Sequence, residues 1–218
     1  MFELPLFPLN TVLFPGMPVS LHIFEERYKK MLNLCIQNKE PFGIVLIKEG
    51  REAQGPLAQP HMVGCTAQIQ QVQQLSQGRM NIRVLGTERF RILNLKQDKP
   101  YLVGEVELFP LHDPDHRAVI AGVARLRPMI MRYLEILKDA GQIQFDSSQL
   151  PNDVTTISYL SAVLLQIPAD KKQVLLEAEH TSQMLNELRM TYRRELALLN
   201  FMKERSEDDS QKGPFSPN

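Results

Sequence analysis

The chain has 218 residues, of which 43% are hydrophobic and 23% are charged, as is usual for a folded globular protein. Lys plus Arg and Asp plus Glu are balanced at 25 each, so no overall charge favours binding to nucleic acid or to an anionic membrane surface. Because no segment reaches the ~20 apolar residues of a membrane helix and no signal-peptide pattern opens the chain, we expect a cytoplasmic protein without a membrane partner.

Residues 1–109 are predicted to be rich in β-strands, because their hydrophobic period is mostly two. Near the amino terminus, Pro5, Pro8 and Pro15 are incompatible with one continuous helix, since each lacks a backbone donor. This segment therefore predicts an edge strand, a Pro-Gly turn and a second strand. Further strands are predicted at residues 42–47, 62–75, 80–92 and 102–108.

Two features interrupt the strand pattern. A short helix is predicted to begin at Glu25 and Glu26, because apolar residues recur at helical spacing from Tyr28 to Cys35. Gly86 is predicted to mark either a hairpin turn or a sharp bend between two alternating stretches.

Beyond Pro110 the hydrophobic period becomes 3.6, which predicts a bundle of helices over residues 110–205. Asp113 and Pro114 are of the types preferred at the N-cap and the first position of a helix. The polar residues 206–218 are predicted to form a disordered tail.

The residue types that bind metals give weak signals in this chain. Cys35 and Cys65 lie among apolar neighbours without a Cys-x-x-Cys spacing, so we interpret both as buried thiols. His112 and His116 have helical spacing for a shared metal, but Pro114 lies between them and the flanking aspartates are ordinary capping residues. We therefore expect no metal and no cofactor.

The opening segment Leu4-Pro5-Leu6-Phe7-Pro8-Leu9, followed by Phe14-Pro15-Gly16, resembles the start of the amino-terminal domain of Lon proteases. Four further blocks resemble the same domain in the same order: Phe42-Gly43-Ile44-Val45, Val63-Gly64-Cys65-Thr66-Ala67-Gln68-Ile69, residues 78–92, and Lys171-Lys172-Gln173-Val174-Leu175-Leu176-Glu177. The resemblance spans residues 2–202.

This resemblance implies an α+β fold, with a PUA-like β pseudo-barrel over residues 1–109 followed by an α-helical bundle over residues 110–205. It also implies binding of polypeptide, either unfolded chains or segments of a partner protein, as in an adaptor for protein quality control. The domain performs no hydrolysis in the family, so no enzymatic activity is expected.

The sequence departs from a full Lon protease in the parts that carry chemistry. It contains no Gly-x-x-x-x-Gly-Lys-Ser/Thr loop to cradle nucleotide phosphates, and no local motif sets a nucleophilic serine beside a lysine. We therefore expect a stand-alone recognition domain rather than a peptidase.

Polypeptide binding predicts an exposed apolar groove with a polar rim, which we expect between the two halves. The candidates are aromatic side chains, flexible methionines and one charged cluster: Phe7, Phe14, Phe24, Glu25, Glu26, Arg27, Met129, Met131 and Met184. Most of the phenylalanines are better suited to the core, and for Glu25, Glu26 and Arg27 a structural role, as a solvated helix start or an ion pair of Arg27 with a glutamate, is favoured over a rim of the groove.

An RNA-binding PUA-like module is the alternative function. Arg79, Arg83, Arg89 and Arg91 would form a basic strip on one face of the predicted strands. However, no series of aromatic residues accompanies these arginines and the chain has no tryptophan, which disfavours nucleic acid as a partner.

Overall fold

The computed structural model describes residues 1–51, 58–112, 115–143 and 150–211. Strands and helices follow one another along these residues as β1 (Phe2–Leu9), β2 (Pro18–Ile23), α1 (Glu26–Asn38), β3 (Phe42–Glu49), β4 (Gln59–Gln74), β5 (Met80–Lys96), β6 (Leu102–Leu108), α2 (His116–Asp139), α3 (Val154–Leu164), α4 (Ala169–Leu176) and α5 (Thr181–Gln211). The fold is α+β, as predicted, with a β-rich part preceding most of the helices. None of the described helices is both long enough and apolar enough to cross a membrane.

The six strands form one mixed sheet in the order β2-β5-β4-β3-β1-β6, and β6 also pairs with β5. This additional pairing closes a ring of strands β5, β4, β3, β1 and β6, with β2 outside the ring. Strand β1 runs parallel to β3, whereas the other pairs are antiparallel. The sheet therefore forms a barrel that carries one extra strand at its rim.

Strand β5 is the longest of the described strands, and it changes its partner halfway along the edge that faces away from β4. Its first part, from Met80 to Leu85, pairs with β2, and its second part, from Phe90 to Lys96, pairs with β6. At Gly86, between them, the backbone bonds to the turn before β2: the amide of Gly86 donates to Met17 O (2.9 Å). A Cβ atom at Gly86 would overlap the carbonyl oxygen of Phe14, so only glycine allows this approach. Gly86 thus marks a change of partner within one strand, not a hairpin turn.

Apolar side chains fill the inside of the barrel and pack under α1. Tyr28, Met31 and Leu32 of α1 are buried there, and the ring centroids of Phe7 and Tyr28 are 4.1 Å apart. A smaller cluster, made by Leu4, Leu6, Val45, Phe90, Ile92, Leu102 and Val106, lies where β1 and β6 meet β5. Alternation of buried and exposed residues in the strands follows from these two clusters.

Polar bonds fix α4 to the barrel wall. The Gln173 side-chain amide donates to Val63 O (3.0 Å) in β4 and to the Glu177 carboxylate (2.8 Å). Nη1 of Arg89 in β5 donates to the carbonyl oxygens of Leu176 (2.5 Å) and Ala178 (2.7 Å) at the carboxyl end of α4. The segment Lys171–Glu177, which resembles a Lon block, therefore has a structural role in this chain.

A second group of elements is formed mainly by α2 and α5. The Tyr133 ring of α2 packs edge-on against Tyr192 of α5 with centroids 5.3 Å apart, and the Tyr192 hydroxyl donates to Ser161 O (2.8 Å). Helix α2 begins at His116 and has Asp115 as its N-cap, whose carboxylate accepts from Ala118 N (3.1 Å). The predicted cap at residues 113–114 lies outside the described residues.

The chain divides into two compact units, but not at a single boundary. The first unit contains Met1–His112 and Ala162–His180, and the second contains Asp113–Ser161 and Thr181–Asn218. The sequence-based boundary lies between residues 109 and 110. The observed division differs from it because α4, which follows that boundary, is bonded to β4 and β5 and so belongs to the first unit. The carboxyl-terminal boundary also differs, since α5 is helical to Gln211; of the predicted tail 206–218, residues 212–218 lie outside the described residues.

Candidate functional site

Strand β2 lies at the rim of the first unit and pairs with β5 alone among the described strands. Bonded and non-bonded pairs alternate along antiparallel strands. Because the Gly86 amide donates to Met17 O, the amides of Val19, Leu21 and Ile23 point toward β5, whereas those of Ser20 and His22 point toward the open side. Pro18, which has no amide, also lies at a position facing the open side, as expected for an edge strand.

An open depression of about 680 Å³ lies beside this edge, on the face shared by β2, β5 and β4. It is lined by Ser20, Gln71, Val72, Gln73, Asn81, Ile82 and Arg83. Three of these side chains are primary amides, which both donate and accept hydrogen bonds. Amide side chains and an open strand edge present the same chemical groups as the polypeptide backbone, so they are suited to bind it.

A polar chain connects the depression to an exposed aromatic ring. The Gln73 carbonyl accepts from the amide of Asn81 (3.3 Å), whose own oxygen lies 2.7 Å from Nδ1 of His22. The His22 ring stacks on Phe24 with centroids 6.0 Å apart, and Phe24 is 47% exposed. The end of β2 therefore combines hydrogen-bonding groups with apolar surface. We call residues 18–24, 71–73 and 81–83 the β2 face.

Of the sequence-based candidates, the structure brings Phe24 and Glu25 to the end of β2, next to Arg27. Nε and Nη2 of Arg27 each lie 3.0 Å from the Glu25 carboxylate, to which Nε donates a hydrogen bond. Both side chains are mostly buried. This is the structural pair considered from the sequence. Glu26 is exposed and pairs instead with Lys29, at 2.8 Å.

The other sequence-based candidates lie elsewhere. Phe7 and Phe14 belong to the core of the first unit and Met184 to that of the second; they are 6%, 0% and 0% exposed, so they present almost no surface to a ligand. Met129 and Met131 are half-buried on α2 in the second unit. The structure therefore does not gather the nine candidates into one site.

The four arginines of the predicted basic strip do not share one surface. Arg89 is 2% exposed and bonded to the end of α4. Arg91 lies over the Phe109 ring (4.1 Å) and pairs with Glu179, whereas Arg79 bonds to Ser76. Arg83 alone of the four lines the depression.

Cys35 and Cys65 are buried, and Lys172 is half-buried. Burial raises the pKa of Cys35 to about 11 and that of Cys65 to about 12, so both are protonated thiols at neutral pH. Burial also lowers the pKa of Lys172, whose Nζ donates to Val163 O (3.1 Å) rather than to a serine. Among the described residues, no cluster of three or more His, Cys, Asp or Glu has the geometry to hold a metal.

Sequence reasoning missed most residues of the β2 face. The polar residues of an alternating strand usually indicate only that one face of the strand is exposed to solvent. This applies to Gln71, Gln73, Asn81 and Arg83. The available signal was Pro18, because a proline at a strand start indicates an open edge. What joins these residues is the register between β2, β5 and β4, which is not local in sequence.

This arrangement of sheet and helices is similar to that of solved Lon amino-terminal domains. The structure is similar to the Lon N-terminal domain protein from Xanthomonas campestris, with TM-score 0.64 and 23% identity over 87% of this chain and 98% of that one. It is also similar to the N-terminal domain of the Mycobacterium avium complex Lon protease, with TM-score 0.67 and 19% identity over 88% of this chain and 98% of that one.

Sequence comparison gives the family. The model of the ATP-dependent protease La (LON) substrate-binding domain matches residues 3–190, so the chain belongs to this family. It is 26% identical to the Lon protease of Syntrophus aciditrophicus and 25% identical to Lon protease 2 of Herpetosiphon aurantiacus, with 90% of this chain aligned in each case. The alignments span 25% and 24% of these proteases, about a quarter of their length.

Proposed function

We propose that this protein is a non-catalytic, cytoplasmic polypeptide-binding protein that holds extended segments of unfolded or partner proteins on the β2 face. It acts as an adaptor in protein quality control and needs no cofactor. Support comes from its membership in a substrate-binding domain family and from the open edge of β2 beside an amide-lined depression. The open edge is the observation that carries the proposal.

An extended peptide pairs with β2 in this proposal and adds a strand to the sheet. The outward amides and carbonyls of Ser20 and His22 bond to its backbone, which gives affinity without requiring a particular sequence. Its apolar side chains pack against Phe24, which is 47% exposed. Where the peptide leaves the edge of β2 it continues over the depression, and there Gln71, Gln73 and Asn81 bond to its backbone.

The test replaces Ser20 by proline, which removes one outward amide and leaves the ladder to β5 intact. Pro18, two residues earlier and facing the same side, shows that the strand accepts proline at such a position. The probe is fluorescein-labelled, reduced and carboxymethylated α-lactalbumin, and its anisotropy reports binding. We expect Ser20→Pro to weaken binding roughly tenfold or more, while the matched control Ser20→Ala, which keeps the amide, binds like the wild type.

Equal binding by Ser20→Pro and the wild type, with unchanged urea unfolding, would contradict the β2 edge as the site. If the folded wild-type protein does not bind the unfolded probe but binds single-stranded RNA, the polypeptide proposal is overturned. Cleavage of casein by the purified protein would overturn the assignment as non-catalytic.

A further inference from the structure

A small cavity in the second unit is lined by two arginines, Arg125 and Arg189. It has a volume of about 190 Å³ and is lined by Ala118, Gly122, Arg125, Ser182, Leu185, Asn186 and Arg189. The lining comes from one face of α2 and one face of α5, since the residues recur three or four positions apart on each helix. All of it lies within the described residues.

The two arginines lie at the same end of this cavity. Gly122 of α2 packs against Leu185 of α5, where an added Cβ would lie 3.0 Å from Leu185 Cδ1, and Tyr133 packs against Tyr192 further along. Both helices therefore run in the same direction along this contact. Arg125 and Arg189 each lie about one turn beyond the Gly122–Leu185 contact.

Neither arginine makes an ion pair or a hydrogen bond within the described parts of the chain, unlike their neighbours on the same helices. Arg132 of α2 pairs with Glu135 (3.7 Å), and Arg194 of α5 pairs with Glu195 (3.3 Å). The Asp115 carboxylate lies at the amino-terminal end of α2 and is bonded to the Ala118 amide. Two like charges on one cavity without a counter-charge attract an anion.

We propose that this cavity binds an acidic side chain of a polypeptide, with its carboxylate between Arg125 and Arg189. Arginine presents paired donors that match the two oxygens of a carboxylate, and Ser182 and Asn186 add further donors. Ala118, Gly122 and Leu185 supply an apolar wall for the methylene stem of a glutamate, which a free phosphate would not use. The cavity is distinct from the β2 face and does not depend on the function proposed for it.

The test compares a fluorescein-labelled peptide of alternating glutamate and glycine with the matching glutamine-glycine peptide, using the full chain. We expect the glutamate peptide to bind the wild type roughly tenfold or more tightly than the glutamine peptide, and less tightly at high salt. The double variant Arg125→Gln/Arg189→Gln should lose this preference. The control Arg132→Gln/Arg194→Gln removes the same charge from the same helices and should keep it, as should Ser20→Pro.

Three outcomes would overturn the proposal. One is equal glutamate-peptide binding by Arg125→Gln/Arg189→Gln and the wild type. Another is an equal loss in the charge-matched control, which would show attraction to net charge alone. The third is an increase in the thermal unfolding temperature on adding inorganic phosphate, abolished in Arg125→Gln/Arg189→Gln, together with no binding of the glutamate peptide.

Discussion

At the scale of the residue, Arg89 shows how a charge is used inside this fold. The residue is 2% exposed, and its guanidinium donates to two carbonyl oxygens at the end of α4, where the helix dipole favours a positive charge. The ring of Phe109 lies 4.6 Å from the guanidinium and covers it. A buried arginine thus joins β5 to α4, which is distant in sequence.

Replacing Arg89 by methionine should therefore destabilise the protein. The variant keeps a similar volume but leaves the carbonyls of Leu176 and Ala178 without their donor, at a cost of about 2–4 kcal/mol in the free energy of unfolding. Urea unfolding measures this cost. Arg83→Met, at an exposed position of the same strand, is the control, and a change in Arg89→Met no larger than in the control would show that the bonds are not important.

The interior thiols belong to the same scale. Cys35 and Cys65 are 3% and 0% exposed, and desolvation raises the pKa of both. The interpretation of these residues as buried thiols from their apolar neighbours agrees with the structure. Hydrophobic context along the chain was sufficient here, because it reflects burial directly.

At the scale of the element, the start of α3 is capped by an ionisable residue, Asp153. The Asp153 carboxylate accepts hydrogen bonds from Thr156 N (2.8 Å) and Thr156 Oγ1 (2.6 Å). These bonds hold the pKa of Asp153 below its ordinary value. Because the folded state favours the ionised form, the stabilisation is present above the ordinary pKa and is lost as the pH falls through the lowered value.

Asp153→Ala should reduce the free energy of unfolding by about 1 kcal/mol at pH 7. The difference from the wild type should shrink below about pH 4, where the carboxyl of the wild type becomes protonated. Urea unfolding at a series of pH values measures both effects. Asp153→Asn keeps a capping oxygen without the titration, so a pH dependence in this variant equal to that of the wild type would assign the effect to other groups.

Helix α4 is the element whose place could not be predicted from its own sequence. Its apolar residues predicted a member of the helical bundle, but Gln173 and Arg89 bond it to the barrel wall. A buried glutamine on a helix does not reveal whether its partner is another helix or a strand. The answer depends on Val63 and on the carbonyls at the helix end, which no local pattern identifies.

At the scale of the whole molecule, the first unit is assembled from two separate parts of the chain. Residues 1–112 supply the sheet, and residues 162–180 supply α4 and its flanks. The amide of His112 donates to Glu179 O (3.4 Å), so the ends of these two parts lie close together. A linker from His112 to Ala162, at the other end of the second part, must therefore span α4 and its flanks.

We expect residues 1–112 alone to lack a cooperative unfolding transition, because the carbonyl of Val63 and the guanidinium of Arg89 lose their partners. Residues 1–112 joined to residues 162–180 by a glycine-serine linker should regain the transition. Circular dichroism during urea unfolding distinguishes the two fragments. A sharp, equally stable transition in residues 1–112 alone would show that α4 is not part of the folding unit.

The sequence by itself determined the positions of most strands and helices, the α+β class and the family, because period, prolines and short blocks are local properties of the chain. Only the tertiary structure decided that β5 is one strand that pairs with β4, β2 and β6, that Arg89 is buried, and that Phe7, Phe14 and Met184 are core residues. It also decided that Ser20, Gln71, Asn81 and Arg83 share one face. The reason is physical: alternation shows that a residue faces out of a strand, but only the register between distant strands determines which residues lie beside it.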